Sequence, residues 1–496
     1  MTPGGGSGEY GSRVLRRRLG LAATLLGLAA GWGLGPMAGP AGALPPVRHV
    51  FIIVLENRDY DTTFGPGTQA PYLARTLASQ GQLLTQYYGI GHESLDNYVA
   101  LVSGQGPNPD TQSDCQFYRD VLPGTIGADG QAAGSGCVYP APVLTVADQL
   151  AARGLTWRGY MEDMGNSTTE PKTCRHPALN SRDDTQSAQM GDQYAARHNP
   201  FVYFHSIIDN QAACDANVVP LDRLASDLRS DQSTPNYVFI TPNLCHDAHD
   251  SPCVDGQPGG LVSANLFLEQ WVPQILQSPA YGAGGLLAII LDESATGAAA
   301  CCNEQAANTA NPGATSQGPG GGRVGAVLIS QFIQPGSVNN TPYNHYSLLR
   351  SIEDLFGLSH LGYAARPELK PFGSDVYNAR AAGTTPPAVP VGGQAPVPGC
   401  TSTPLPVRHR RRLARGTLIG TARIVRGDGR RSLEVTMLHA ATLHVRARAR
   451  GRTRALRARR VSACRTYRIT LPRGTRRLRL LATVRHGREG RALRGA

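Results

Sequence analysis

The stretch that decides the fold is residues 49–57, HVFIIVLEN, in which an apolar run ends in a carboxylate and an amide. An unbroken apolar run of this length is typical of a strand buried on both faces, as in the parallel sheets of α/β proteins. Ligands of such sheets bind at the carboxyl ends of the strands. Glu56 and Asn57 would lie at that end, and their oxygen atoms suit a hard metal ion.

A second run of the same kind, residues 285–291, is followed by Asp292 and Glu293. If the two strands are parallel neighbours, three carboxylates and an amide converge at one edge of the sheet. Without a cation, repulsion and desolvation would cost on the order of several kcal/mol per ion. The sequence therefore predicts one divalent metal ion, of open identity, held by this set. The alternative is that these residues form turns or cap helices.

A hydroxyl group stands before a helix-compatible run in residues 91–104, GHESLDNYVALVSG. Ser94 would lie at the positive end of the helix dipole, which favours an alkoxide and any phosphate that it attacks. A nearby metal ion would lower the pKa of the hydroxyl further and activate it as a nucleophile. The alternative is that Ser94 only caps the helix.

A third buried run, residues 237–243, leads into a segment with His246, Asp247, His249 and Asp250. A histidine here could bind a metal ion, hold a phosphoryl oxygen or protonate a leaving group. The alternative is a surface loop. Further on, His345 begins an amphipathic helix, and either faces the same sheet edge or caps that helix.

The composition changes sharply near residue 384. Residues 384–406 are rich in proline and small residues, as in an extended linker. Residues 407–496 contain 27 arginines and three acidic residues, a net charge of +24, whereas the whole chain carries +12 and the rest therefore −12. Alternating apolar and polar residues in this tail predict a small β domain. The catalytic domain would then span residues 44–383.

The amino terminus has the pattern of a signal peptide over residues 1–43. Arginines precede an apolar stretch, and an Ala-Gly-Ala sequence ends the segment. The arginines also permit twin-arginine export, and an uncleaved membrane anchor is the alternative. Ten cysteines, eight central ones plus Cys400 and Cys464, fit an oxidising compartment, but spacing alone assigns no pairs. We therefore expect a secreted or cell-surface protein.

The basic tail would be drawn to anionic partners, either cell-wall polymers or acidic lipid. A solvated face without any partner is the alternative. Nucleic acid is not expected, because the protein is exported and the tail has few aromatic residues for base stacking.

These segments together resemble the bacterial and fungal phosphoesterase family that includes acid phosphatases and non-specific phospholipases C. The resemblance covers roughly residues 47–377. It is carried by five ordered motifs: ENRDYDTTFG at 56–65, HESLDNY at 92–98, PNLCHDAHD at 242–250, DE at 292–293 and HYSLLRSIE at 345–353. It implies an alkaline-phosphatase-like three-layer α/β sandwich around a mostly parallel sheet.

The resemblance also implies roles for the site residues. Glu56, Asn57, Asp292 and Glu293 would hold the metal ion, Ser94 would form a phosphoserine intermediate, and His249 would stand near the phosphoryl group. The same motifs make His92 a further catalytic candidate and make three residues candidates for substrate binding, namely Asn97, His246 and His345.

The implied activity is hydrolysis of phosphomonoesters, of the acid phosphatase type. The lipase branch of the family tends to have Pro-Asn-Arg after the nucleophile, and here residues 96–98 read Asp-Asn-Tyr. A phospholipase C-type phosphodiesterase is therefore the alternative. An alternative from another class is a catalytically inactive cell-surface binding protein, although the intact ligand positions argue against it.

Overall fold

The computed structural model describes residues 44–304 and 318–379, and beyond them the segments 419–427, 430–437, 441–449, 452–455, 459–461, 465–471, 475–484 and 487–494. The chain divides into two compact units, Met1–Ala382 and Gly383–Ala496. The predicted signal peptide, the predicted linker, Cys400 and Cys464 lie outside the described residues.

The first unit alternates short strands with helices. Its strands are β1 His49–Leu55, β2 Gln82–Leu84, β3 Tyr87–Tyr88, β4 Phe117–Tyr118, β5 Leu122–Ile126, β6 Ala132–Ser135, β7 Trp157–Met161, β8 Ser181–Arg182, β9 Val218–Pro220, β10 Tyr237–Thr241, β11 Gly285–Leu291, β12 Ala326–Ser330, β13 Ser337–Asn339 and β14 Tyr343–Asn344. Its α-helices are α1 Tyr60–Phe64, α2 Ser94–Ser103, α3 Val146–Ala152, α4 His205–Ile208, α5 Gln211–Asn217, α6 Leu224–Asp227, α7 Gly260–Leu276, α8 Pro279–Gly282 and α9 His345–Phe356.

The central sheet has the strand order β13-β2-β12-β11-β1-β10-β7-β9. β11, β1, β10, β7 and β9 pair in parallel, and β12 alone runs antiparallel to its neighbours. β1 lies between β10 and β11, so that Ile52 stands opposite Phe239 on one side and Ala288 on the other. The two runs predicted to be parallel neighbours are therefore direct neighbours.

Helices cover this sheet because its central strands are apolar on both faces. Every residue of β1, β10, β11 and β12 is buried. Two groups of helices pack together, α2 with α3 and α9, and α7 with α8. The prediction of an α/β sandwich around a mostly parallel sheet is confirmed.

Disulfides join all eight central cysteines. Two bridges fasten peripheral loops, one encloses the loop after β10, and one links adjacent residues: Cys115–Cys137, Cys174–Cys214, Cys245–Cys253 and Cys301–Cys302. Spacing alone did not assign this pairing, because eight cysteines allow 105 connectivities.

The second unit is built of strands, as predicted for a small β domain. Its described strands are β15 Ile419–Gly427, β16 Arg430–Met437, β17 Ala441–Ala449, β18 Arg452–Ala455, β19 Arg459–Val461, β20 Arg465–Thr470, β21 Thr475–Val484 and β22 Gly487–Arg494. They form the sheets β15-β16-β20 and β18-β17-β21-β22, with β19 also pairing with β17. Leu443, Val445 and Ala447 are buried while His444 and Arg446 are exposed, which is the period-two pattern of a half-buried strand.

Among the helices of the described residues, none combines the length and the hydropathy that a membrane span requires.

Candidate active site

Polar residues follow adjacent parallel strands at one edge of the central sheet. Glu56 comes directly after β1 and Asp292 directly after β11, and the register pairs Leu55 with Leu291 immediately before them. Asp247 lies in the loop after β10. This is the edge at which open parallel sheets bind ligands.

Glu56 is fully buried, with no solvent exposure. Ser94 Oγ donates to Glu56 Oε2 at 2.7 Å, and the Tyr98 hydroxyl donates to Oε1 at 2.6 Å. Burial raises the pKa of Glu56, but the nearby His198 and the hydrogen bonds from Tyr98 and Ser94 oppose it, and the net effect is a lowered pKa. Glu56 is therefore an ionised carboxylate in direct contact with the Ser94 hydroxyl.

Ser94 is the first residue of α2, and Glu93 is its N-cap, with a left-handed φ of 85°. The Glu93 N–H donates to Glu293 Oε2 at 3.1 Å, which fixes this strained turn. The Ser94 hydroxyl donates to Glu56, and the N-cap residue of the helix makes no capping hydrogen bond through its side chain. The hydroxyl thus lies at the positive end of the helix, beside an ionised carboxylate.

Asp292 has one occupied and one unpartnered carboxylate oxygen. Oδ1 accepts the backbone N–H groups of Asn57 at 2.9 Å and Glu293 at 2.6 Å. Oδ2 is buried without a hydrogen-bond partner. Burial, and then the charges of Glu56 and Glu293, raise the pKa of Asp292 well above its ordinary value. A positive charge beside Asp292 would therefore stabilise its ionised carboxylate.

Asp247 and His198 complete the same cluster. Asp247 Oδ1 accepts the His249 N–H at 2.8 Å, while Oδ2 and both ring nitrogens of His198 are buried without hydrogen-bond partners. His198 Nε2 lies 3.5 Å from Glu56 Oε2, and Nδ1 lies 3.9 Å from Asp247 Oδ2. Its ring stacks on Tyr98 with 5.2 Å between centroids. Burial lowers the pKa of His198 to about 3, so the ring is a neutral imidazole.

The chemistry of these groups fits a divalent cation. Buried polar atoms in native proteins are normally paired, and here unpartnered oxygen atoms of Asp292 and Asp247 and the ring nitrogens of His198 surround the Glu56 carboxylate. Carboxylate oxygens and neutral imidazole nitrogens are the donors that divalent metal ions take in proteins. A cation beside Asp292 Oδ2 would pair this oxygen, although the structure does not bring donor atoms of three of these side chains close enough together to share one ion.

The other two predicted metal ligands have further contacts. Asn57 has a left-handed φ of 45°, and its N–H holds Asp292. The Glu293 carboxylate accepts from the Glu93 N–H and from His92 Nδ1, at 2.7 Å in the latter case. Burial raises the pKa of Glu293, although the hydrogen bond from His92 opposes it. Both residues thus shape the turns around the cluster, and their ligation of a metal stays a prediction.

His92 and Asn97 organise the turn before Ser94. His92 Nδ1 contacts Glu293, and its Nε2 lies 2.8 Å from the Gly297 carbonyl oxygen. The hydrogen bond to Glu293 is the main cause that raises the pKa of His92. The Asn97 side chain bonds to the backbone of Ile90, Gly91 and Glu93.

The remaining predicted histidines lie at different depths. His345 is fully buried; its Nε2 donates to the Asp292 carbonyl oxygen at 2.6 Å, and its Nδ1 accepts from the Tyr87 hydroxyl at 3.0 Å. Burial lowers the pKa of His345 to about 4, so this residue supports Asp292 from behind as a neutral ring.

His246 and His249 follow one another in the loop after β10 but face different surroundings. His246 Nδ1 donates to Glu162, which follows the next strand of the sheet, at 3.0 Å. The His249 side chain is 46% exposed, and its backbone carbonyl accepts from the Arg58 side chain at 3.0 Å. Of the two, only His249 has its backbone bonded directly to the cluster, through Asp247.

The sequence analysis missed His198 and Tyr98, and it assigned Asp247 no role as a ligand. His198 ends the 3-10 segment Ala196–His198, which has no regular periodicity from which to place it. The available signal was the polar triplet at 197–199, which directly precedes an apolar stretch and is itself buried.

The chain is similar in sequence to one known family and to several named proteins. The model of the Phosphoesterase family matches residues 67–359. A phosphate-repressible acid phosphatase of Penicillium chrysogenum is 26% identical over 313 residues, which are 62% of this chain and 59% of the relative. A phosphatidylinositol-3-phosphatase of Mycobacterium tuberculosis is 24% identical over 358 residues, 71% of this chain and 92% of the relative. The chain thus spans about three fifths of the fungal enzyme's length.

Among solved structures, a protein in the alkaline phosphatase superfamily from Vibrio parahaemolyticus aligns with a TM-score of 0.38 and 10% identity, covering 87% of this chain and 84% of that one. The wild-type alkaline phosphatase PafA aligns with a TM-score of 0.35 and 11% identity, covering 68% of this chain and all of that one.

Proposed function

The chain belongs to the phosphoesterase family, and on this premise we propose that it is an exported, metal-dependent phosphatase that hydrolyses phosphomonoesters through a phosphoserine at Ser94. One observation carries the proposal: the Ser94 hydroxyl, at the start of α2, donates to a buried and ionised Glu56 at 2.7 Å. A serine in that position is prepared to lose its proton and to face an anionic phosphoryl group.

The metal would be held by Glu56, Asn57, Asp292 and Glu293, and the unpartnered Oδ2 of Asp292 supports this set. Asp247 and His198, which lie beside Glu56, are the further candidates. When bound, a divalent cation polarises a phosphoryl oxygen and stabilises the charge of the transition state.

The protein's own residues account for the remaining steps. As Ser94 Oγ bonds to phosphorus, its proton passes toward Glu56, the acceptor that it already contacts. The bond between phosphorus and the leaving oxygen breaks in line with the attack, and the exposed His249 supplies a proton to the departing alkoxide. Water then hydrolyses the phosphoserine, which regenerates the Ser94 hydroxyl and releases phosphate.

Two facts favour monoesters over phosphodiesters. Residues 96–98, which follow the nucleophile closely, read Asp-Asn-Tyr, and Tyr98 is engaged with Glu56 inside the protein. The relatives described above carry phosphatase names rather than phospholipase names. Phospholipase C-type cleavage is the second candidate.

A substrate screen tests the reaction class. Purified protein, with its metal content determined by elemental analysis, is assayed on soluble phosphomonoesters and on phosphatidylcholine. We expect release of inorganic phosphate from the monoesters and little turnover of phosphatidylcholine. Exclusive cleavage of phosphatidylcholine would favour the phospholipase alternative, whereas a protein that turns over neither substrate would favour the binding-protein alternative.

Ser94→Ala tests the nucleophile. We expect turnover to be abolished while the metal stays bound, because the variant loses the hydroxyl and keeps the carboxylate cluster. Ser103→Ala is the matched control, since Ser103 ends the same helix and its hydroxyl bonds to local backbone, donating to the Val99 carbonyl oxygen and accepting the Gln105 N–H. Acid-quenched wild-type enzyme should yield a phosphopeptide labelled at Ser94; a label on histidine would contradict the mechanism.

A further inference from the structure

Arginine stands opposite arginine in two successive positions of the C-terminal sheet. The register of β17 and β21 pairs Arg446 with Arg479 and then Arg448 with Arg477. The register of β21 and β22 extends the second pair to Arg494. We call these positions the arginine rungs.

The first rung is exposed, and no acidic residue stands opposite it. Arg446 and Arg479 are both exposed, while Val445 and Leu480, their neighbours along the strands, are buried. The other register partners of this rung are Ala455 on β18 and Ala492 on β22. The charge of this pair is thus directed to solvent and is not balanced within the sheet register.

The second sheet of the same unit places an acidic residue between arginines, although Arg426 and Arg431 there also stand opposite each other. There Glu434 stands between Arg423 on β15 and Arg468 on β20. Opposite charges across a strand pair stabilise a sheet, and like charges directly opposite each other destabilise it. The arginine rungs therefore cost stability in the isolated unit, and an anionic partner would remove that cost.

We propose that the arginine rungs bind the surface of a phospholipid bilayer that contains anionic lipid. Guanidinium groups bind phosphate in a bidentate manner. By register the rungs occupy three adjacent strands, β17, β21 and β22, so their positions extend in two dimensions, as the headgroups of a bilayer do, whereas a single linear polymer would follow one row. His444 and Leu481 face each other beside the first rung. His444 is exposed and Leu481 is half-buried, so the proposed contact is adsorption of the sheet to the lipid headgroups.

Sedimentation with vesicles tests this proposal on the full chain. Vesicles of phosphatidylcholine mixed with phosphatidylglycerol are compared with vesicles of phosphatidylcholine alone, in protein that carries Ser94→Ala so that lipid is not consumed. The test variant replaces Arg446 and Arg479 by Gln; the matched control replaces Arg423 and Arg468 by Gln and removes the same net charge.

We expect the rung variant to lose roughly 30-fold in affinity for the mixed vesicles, at about 1 kcal/mol per arginine near an anionic surface. The control should lose much less, because its arginines stand opposite Glu434. Melting temperature checks the folding of both variants, and the rung variant should be at least as stable as the parent, because like-charge repulsion is relieved.

Two outcomes would overturn the proposal. Equal losses in the two variants would mean that net charge alone draws the protein to lipid. Binding to soluble inorganic polyphosphate that depends on the rungs, with no binding to the mixed vesicles, would identify a linear polymer as the partner. Neither readout requires turnover, so the result is independent of the phosphatase proposal.

Discussion

The surroundings of the Asp292 carboxylate favour a positive charge beside it. Two backbone N–H groups fix one of its oxygens, which leaves the other oxygen buried and aimed without a partner. His345 supports the backbone of the same residue from behind. The local structure therefore holds the carboxylate firmly in a position that is unfavourable without a cation.

Removing one formal charge from this cluster should remove the metal. We expect Asp292→Asn and Glu56→Gln each to lose metal and at least about 100-fold of activity, since even residues behind the ligands typically cost 10–100-fold. Elemental analysis and steady-state kinetics measure both effects. Glu269→Gln on α7, an exposed carboxylate, is the control, and full metal content with full activity in the two site variants would contradict the assignment.

Glu353 on α9 makes a prediction about stability and pH. It is buried; its Oε1 accepts the Leu361 N–H at 2.9 Å and its Oε2 is unpartnered. Burial raises the pKa of Glu353 to about 9. The folded state therefore keeps a proton that the unfolded state loses above its ordinary pKa of about 4.5. Stability contributed by this group is complete at acid pH and falls as pH rises toward 9.

Glu353→Gln should remove that fall, because Gln stays neutral and keeps the acceptor for Leu361. Relative to wild type, we expect little change at pH 5 and a gain on the order of 1–3 kcal/mol at pH 8. Denaturant unfolding at both pH values measures the difference. Glu368→Gln, an exposed carboxylate nearby in sequence, should show no such dependence, and a gain at pH 5 equal to that at pH 8 would refute the idea.

At this scale the sequence predicted the residues that follow strands and missed those that follow irregular segments. Glu56 and Asp292 were predictable because an apolar run of fixed period ends just before each. His198 was not predictable, since a 3-10 segment carries no period and only the folded chain brings it within 3.5 Å of Glu56.

At the scale of elements, a disulfide closes the loop after β10. The Cys245–Cys253 bridge spans eight residues and encloses both Asp247 and His249, whereas the Cys174–Cys214 bridge spans 40 residues and lies elsewhere in the unit. A short bridge constrains the unfolded chain less than a long one. The two disulfides should therefore serve different purposes.

Replacing each pair by alanine should separate stability from activity. Loss of Cys174–Cys214 is expected to cost about 4 kcal/mol and loss of Cys245–Cys253 about 2.5 kcal/mol, from loop length alone. The activity measured well below the melting temperature should fall more in the second variant, because the loop that carries Asp247 is released. Thermal unfolding and kcat on a soluble monoester measure the two effects, and parallel losses in both variants would be evidence against this division.

Strands with a long continuous apolar run were predictable from the sequence, and strands with a short or interrupted run were not. β1, β10 and β11 were each recognised as a continuous apolar run. β7 was not recognised, since Arg158 and Gly159 interrupt it, and β2 is only three residues long. Their strand form comes from pairing with β10 and β12 in the sheet.

At the scale of the molecule, the charge of the chain is divided between the two units. The basic residues concentrate beyond residue 407, and the remainder of the chain is acidic. The site residues described above all lie in the first unit. Chemistry and surface attachment should therefore be separable.

Deletion of residues 407–496 should leave hydrolysis of a small soluble phosphomonoester nearly unchanged and weaken binding to anionic envelopes. Binding of the full-length chain should also fall steeply with salt, as the Debye length shrinks from about 10 Å at 0.1 M to about 3 Å at 1 M. Sedimentation and a soluble assay, run on both forms across that range, measure this. Loss of soluble activity on truncation would show that the units are not independent.

Because β1 lies between β10 and β11, it gains its neighbours in the sheet only after both of these later strands have been synthesised. β1 is the first strand to be synthesised, yet its second neighbour follows roughly 240 residues later, which at about 5–20 residues per second takes on the order of ten to fifty seconds. Until β10 is made, an entirely apolar strand lacks both of its neighbours in the sheet. Until β11 is made, the cluster that needs Asp292 does not exist, so no folded intermediate that lacks β11 can already be an enzyme.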